Sequence, residues 1–93
     1  MVVGICRVEL SVPNSFSLKD KRRVLKSTIK RARNKFNISI SEIDSNENWQ
    51  RAILGISSLS NNSHYTNKIL NGVINYLEKE RDLIIINYSI ELF

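Results

Sequence analysis

Hydrophobic and polar residues alternate over the first dozen positions. Val2, Cys6, Val8, Leu10 and Val12 share one parity and Arg7, Glu9 and Ser11 the other, the period-two signature of a half-buried strand over residues 2–12. Pro13, Asn14 and Ser15 end it. Ser17 with Asp20 three positions on is a variant capping box that predicts a helix start. Leu18, Leu25, Ile29, Ala32 and Phe36 then recur at spacings of 7, 4, 3 and 4, one apolar stripe along that helix, and Asn37 closes it. Ile38 and Ile40 open a second strand reaching about Asp44, and the polar stretch Ser45-Asn46-Glu47-Asn48 reads as a turn between antiparallel neighbours. A third strand runs from Trp49 to about Leu59, with Ala52, Leu54 and Ile56 on one parity and Arg51, Ile53 and Ser57 on the other. Asn61-Asn62-Ser63 is the next breaker and cap. Ile69, Leu70, Val73, Ile74 and Leu77 mark a second amphipathic helix reaching about Arg81, weakened only slightly by Gly72. The run Leu83 to Tyr88 is apolar enough to be expected as a well-covered final strand.

The predicted order is β-α-β-β-α-β. Two β-α-β halves with right-handed crossovers, joined by a hairpin, close into a four-stranded antiparallel sheet with both helices on one face, the α+β ferredoxin-like split β-α-β arrangement. No repeat or linker interrupts it, so residues 1–93 are expected to form a single domain. A chain of 93 residues buries one modest two-layer core and leaves no room for separate cofactor and substrate domains. One cysteine, Cys6, offers neither an intramolecular disulfide nor a Cys-rich zinc site. No apolar run approaches the roughly 18 residues that span a bilayer, and Arg7 and Glu9 interrupt the N-terminal segment where a signal peptide would continue. A cytoplasmic protein is the expectation.

Charge changes the picture more than composition does. The net charge of +5 conceals a segment, residues 19–35, holding nine Lys and Arg against the single acid Asp20, a local +8. The remaining five basic and eight acidic residues make the rest of the chain −3. A mildly acidic body bearing one intensely basic helix points to an anionic partner at that helix. A charge run is ordinarily a solvated helix face, but two features argue against that here. Lys19, Lys21, Arg22 and Arg23 crowd the helix N-terminus, where the positive end of the dipole disfavours each exposed cation by about 0.3–1 kcal/mol. Lys19/Arg23, Arg22/Lys26 and Lys26/Lys30 are also like-charge i, i+4 pairs. Lys19, Arg23, Lys26, Lys30 and Arg33, with Arg22 beside them, make a stripe long enough to follow several phosphates.

Other chemistry is sparse. Proteins of this topology that stack bases do so on aromatics of the first and third strands, but the outward positions here are Val3, Ile5, Arg7, Glu9, Arg51 and Ile53, with Trp49 the one aromatic nearby. Phosphate or shape recognition is therefore favoured over base stacking. Glu9 and Arg51 are placed for a cross-strand ion pair. Val3, Ile5, Ile53, Leu83 and Ile85 would form an apolar patch on the face without helices, a candidate dimer interface with Trp49 at its rim; Glu42, sharing parity with Ile38 and Ile40, hints at a bulge that would shift this parity. Glu42, Asp44 and Glu47 near the hairpin fit a solvated turn better than a Mg²⁺ site, and His64 has no second histidine or cysteine to share a metal with. The acylphosphatases share the topology but need a glycine-containing loop after the first strand, which Pro13-Asn14-Ser15-Phe16-Ser17 lacks, and no nucleophile–base pair or P-loop is present.

The string Ser17-Leu18-Lys19-Asp20-Lys21-Arg22-Arg23-Val24-Leu25-Lys26-Ser27 resembles the signature of the YlxP-like family of small bacterial proteins. Phe36 to Asp44 and Trp49 to Ile56 are similar to that family's second and third strands, so the resemblance covers residues 1 to about 60 by motif and the rest by pattern. It implies a ferredoxin-like fold, no established activity, and genes that often lie beside those of translation initiation and ribosome maturation factors, an RNA or ribosome connection by association. The expectation is a non-catalytic protein that contacts RNA or the ribosome through Lys19, Arg22, Arg23, Lys26, Lys30 and Arg33. It would form a homodimer through Val3, Ile5, Trp49, Ile53 and Ile85, with no cofactor, metal or membrane. The alternative is a dimeric protein-interaction or small-ligand-sensing module that binds no nucleic acid.

Overall fold

The alternation of residues 2–11 becomes β1 (Val2–Ser11), whose even positions from Gly4 to Leu10 are buried while Ile5 and Arg7 face solvent. The computed structural model describes residues 1–44 and 48–93. After β1 come α1 (Leu18–Lys35), β2 (Ser39–Glu42), β3 (Arg51–Ser60), α2 (Ser63–Glu78) and β4 (Ile84–Leu92), the expected β-α-β-β-α-β order. The predicted turn at 45–48 lies, apart from Asn48, outside the described residues. The four strands form one antiparallel sheet in the order β2-β3-β1-β4, so β1 and β3 are central and β2 and β4 are the edges.

Register follows the hydrophobic pattern. Cys6, Val8 and Leu10 lie opposite Ile56, Leu54 and Ala52, and Ile40 lies opposite Ile56, so one face of the sheet is continuously apolar and takes the helices. Against it lie the buried Leu70, Val73, Ile74 and Leu77 of α2 and Leu25 and Ala32 of α1, with Val24 and Ile29 of α1 packed beside them partly buried. Both helices open on side-chain caps. Ser17 Oγ accepts from the Asp20 N–H at 3.0 Å, Asp20 Oδ2 in turn accepts from the Phe16 N–H at 3.2 Å, and Asn62 Oδ1 accepts from the Tyr65 N–H at 3.0 Å. Gly4 is required by a close approach: a Cβ there would lie 2.5 Å from Thr66 Cγ2 and 2.6 Å from Leu70 Cδ1.

Four expectations change. The buried stripe of α1 is Lys21, Leu25, Thr28 and Ala32, while Leu18, Ile29 and Phe36 are half-buried; two polar residues hold places that the apolar count gave to others. Helix α2 stops at Glu78, where the Lys79 and Glu80 N–H groups turn back to the Tyr76 and Leu77 carbonyls at 3.2 and 3.1 Å, short of Arg81. Strand β4 runs to Leu92 and is largely exposed, because it is an edge rather than an interior strand. Finally, Leu83 and Ile85 do not lie on the open face. Between Glu9 and Leu10 the partner on β4 jumps from Asn87 to Ile85, so Ile86 is an extra, bulged residue that reverses the parity. Ile85 therefore sits opposite buried Leu10 and packs on the core, and Leu83 is buried with it.

Candidate functional site

Helix α1 sorts its nine cations by the side of the helix each occupies, at about 100° per residue. Lys21 points into the core and is only 2% exposed. Its ammonium donates to the Asn48 carbonyl at 2.9 Å and the Arg51 carbonyl at 3.1 Å and lies 3.8 Å from Glu42 Oε2. Glu42 faces the helices because it is opposite Leu54 on the core side of the sheet, the parity it shares with Ile40. Lys21 thus ties α1 to both strands of the β2–β3 hairpin, a structural use of a residue that composition alone would assign to the basic surface.

On the flank toward α2, Arg31 donates to Glu80 from Nε at 3.2 Å and Nη2 at 3.0 Å, and to Ser27 Oγ from Nη1. The hydrogen bonds to Glu80 raise the Arg31 pKa above its ordinary value, so this charge is matched within the fold. Lys35 lies 5.2 Å over the Tyr76 ring, and Tyr76 meets Phe36 edge-on at 5.8 Å. At the N-terminus Arg23 pairs with Asp20 at 3.3 Å.

The flank toward β2 is different. Arg22, Lys26, Lys30 and Arg33 line a groove of about 660 Å³ between α1 and the sheet edge, floored by Leu25 and Ile29 and closed at its sides by Asn34 and Glu42. The side chains of Arg22, Lys26 and Lys30 have no hydrogen-bond or ion-pair partner among the described residues. Arg33 uses one amine to donate to the Ile40 carbonyl at 3.1 Å, which anchors it at the groove's end. Of the predicted binding residues, Lys19 and Arg23 are exposed but lie outside the groove. Leu25, Ile29, Asn34 and Glu42 belong to it and were not expected.

The open sheet face carries Val3, Ile5 and Ile53, as predicted from parity, but not Ile85. Its apolar residues are interleaved with polar ones around Ile5 and Ile53, whereas Val3 lies opposite Leu59 and pairs with Phe93. Ile5 lies between Ser57 and Glu91, and Ile53 lies beside the Glu9–Arg51 ion pair, whose atoms are 3.2 Å apart. Ile43 folds over Gly55, where a Cβ would come within 2.6 Å of its Cγ2. Trp49 is half-exposed in the turn before β3 and His64 is exposed in the first turn of α2. Glu47 lies outside the described residues; among those described, no three His, Cys, Asp or Glu side chains gather as a metal site. Nor is any described helix long and apolar enough to cross a membrane.

Residues 3–90 match the family model described as "Protein of unknown function (DUF503)". The chain belongs to the DUF503 family. Within reach of that match, it is 39% identical over 77 residues to the uncharacterized protein YlxP of Bacillus subtilis (strain 168), covering 83% of this chain and 84% of that one. Among solved structures, a de novo designed protein with a ferredoxin fold superposes over 100% of this DUF503 chain and 84% of its own at a TM-score of 0.52 and 13% identity. The sheet order, the two helices on one face and that likeness make this DUF503 protein ferredoxin-like.

Proposed function

We propose that this protein is a non-catalytic RNA-binding protein of the cytoplasm, acting in translation or ribosome maturation, and that the groove between α1 and β2 is its RNA contact. The observation that carries the reading is the division of charge on α1. Arg31, Arg23 and Lys21 have acidic partners, whereas Arg22, Lys26 and Lys30, aligned on one groove, have none among the described residues. Leaving like charges adjacent and unmatched at i, i+4 along a helix costs stability, and phosphates supply the missing counter-charge. From Arg22 to Arg33 the row spans about 16 Å of helix, room for a short run of backbone phosphates. The family resemblance at Ser17–Ser27 and its association with translation genes support the same setting.

Recognition by phosphates predicts salt dependence and little sequence preference. The test is binding to a hairpin RNA and to its single-stranded counterpart across a salt series. In the triple variant Arg22→Gln, Lys26→Gln, Lys30→Gln, affinity falls for every sequence, and the log-affinity against log-salt slope flattens by about two to three units. The off-groove variant Lys19→Gln, Arg23→Gln loses less. An unchanged slope in the triple variant removes the groove as the RNA contact.

A further inference from the structure

The two edges of the sheet are unequal. Strand β2 has four residues, whereas β4 exposes nine, Ile84–Leu92. A long edge is a row of unpaired backbone donors and acceptors that soluble proteins usually blunt with Lys, Pro or short length. Strand β4 contains no Lys, Arg or Pro, and its one charge, Glu91, lies next to its end. Ile84, Ile86, Tyr88, Leu92 and the following Phe93 are 56, 41, 45, 40 and 69% exposed. The bulge at Ile86 leaves Ile84 and Ile86 exposed at this edge while Ile85 turns to the core, and Glu78 of α2 with residues 83–88 encloses a groove of about 610 Å³ alongside it.

We propose that β4 pairs antiparallel with β4 of a second copy of this chain, joining two four-stranded sheets into one of eight strands. The strand is self-complementary about Tyr88. A two-fold axis there sets Tyr88 against its own equivalent and Ile86 against the position of Ile90, and it places Glu91 across from Ile85 rather than from another carboxylate. The area also suits a second copy. With a large side chain presenting on the order of 200 Å², the five exposed residues offer about 500 Å² per copy. Two copies therefore have at most about 1,000 Å² of this side-chain surface to bury, before the backbone edges are counted, which reaches the threshold for a specific interface. The interface is isologous and closes after two subunits. It is independent of the RNA reading: β2 and β4 are opposite edges, so both basic grooves stay open in the dimer.

Sedimentation of the intact chain decides it. Wild type is expected to be a dimer at micromolar concentration. Tyr88→Lys should weaken self-association on the order of 100-fold or more, as for losing a central anchor from both partners, with the circular dichroism spectrum of the wild type. Ile86→Lys does the same if Tyr88→Lys fails to fold. Ile5→Lys, on the open face, leaves the dimer intact. In hydrogen exchange, the outward amides of β4 should gain protection as concentration rises. A monomeric wild type, which would leave the edge to a different protein's strand, overturns the proposal, as does a dimer that survives Tyr88→Lys and Ile86→Lys or dissociates on Ile5→Lys.

Discussion

Replacing Lys21 by Met separates structural charge from functional charge on α1. Met keeps the length of the side chain and removes the ammonium that bonds the Asn48 and Arg51 carbonyls and sits 3.8 Å from Glu42. Hydrogen bonds to a charged group contribute about 1.5–3 kcal/mol each when buried. Asn48 and Arg51 are exposed residues, so water recovers part of that loss, and the Glu42 side chain, 29% exposed, is partly screened. Burying the Met side chain returns a further 1–2 kcal/mol or so. The net expectation is a loss of about 1–3 kcal/mol, which for a domain this size lowers the melting temperature by about 4–8 °C per kcal/mol. Urea unfolding should show the midpoint moving at constant m-value, and because the amine is buried the loss should depend little on salt. Lys26→Met, on the groove, should stay within about 0.5 kcal/mol of wild type. Equal stability of Lys21→Met and wild type would refute the argument, as it would mean that apolar packing serves this site as well as the charge does.

Burial pushes the Cys6 thiol from 9.0 up to about 11. A raised pKa contributes stability that is full below the unfolded value and is lost as pH rises through the folded one, so about 2–3 kcal/mol should disappear between about pH 9 and 11. The unfolding free energy of Cys6→Ala should lack that fall; parallel pH profiles would rule it out, and the native thiol should be inert to a disulfide reagent near neutral pH. Gly4→Ala drives a methyl into Thr66 and Leu70 and should cost about 1–3 kcal/mol, measured by thermal unfolding. No loss would mean that α2 can shift off β1 freely.

Much of the fold was legible because strands β1 and β3 and helix α2 write their burial directly as hydrophobic period. What escaped was written in polar residues or in backbone irregularity. Lys21 and Thr28 occupy the buried stripe of α1, and a lysine enters a core only when carbonyls wait for it, here from a turn remote in sequence. The parity of Glu42 was visible but suggested a bulge; β2 pairs with β3 in unbroken register, and Glu42 faces the helices to meet Lys21. The bulge at Ile86 has no local signature: Leu83 to Ile86 is uniformly apolar, so no alternation exists to show where the phase changes. For the same reason Ile85 was placed on the wrong face. The groove was half legible: its cations show as a helical row, but which of them share a cleft depends on where β2 ends.

That dependence explains why the cations gather on one side. The sheet is asymmetric about its helices: α2 buries four aliphatic side chains on it, α1 two. A helix with so few fully buried aliphatic side chains gains from other ties, and α1 has Lys21 to the hairpin and Arg31 to Glu80. Both fix its ends and its α2-facing side. Because β2 is only four residues long, nothing in the sheet rises to cover the remaining flank, where Leu25 and Ile29 form a floor and Arg22, Lys26 and Lys30 stand unmatched. Extending β2 or adding a carboxylate there would have stabilised the helix at once. The short edge strand and the uncompensated row are therefore two aspects of one arrangement, a flank kept open and positive at a cost to the fold, and that joint cost favours a binding surface over an incidental excess of charge.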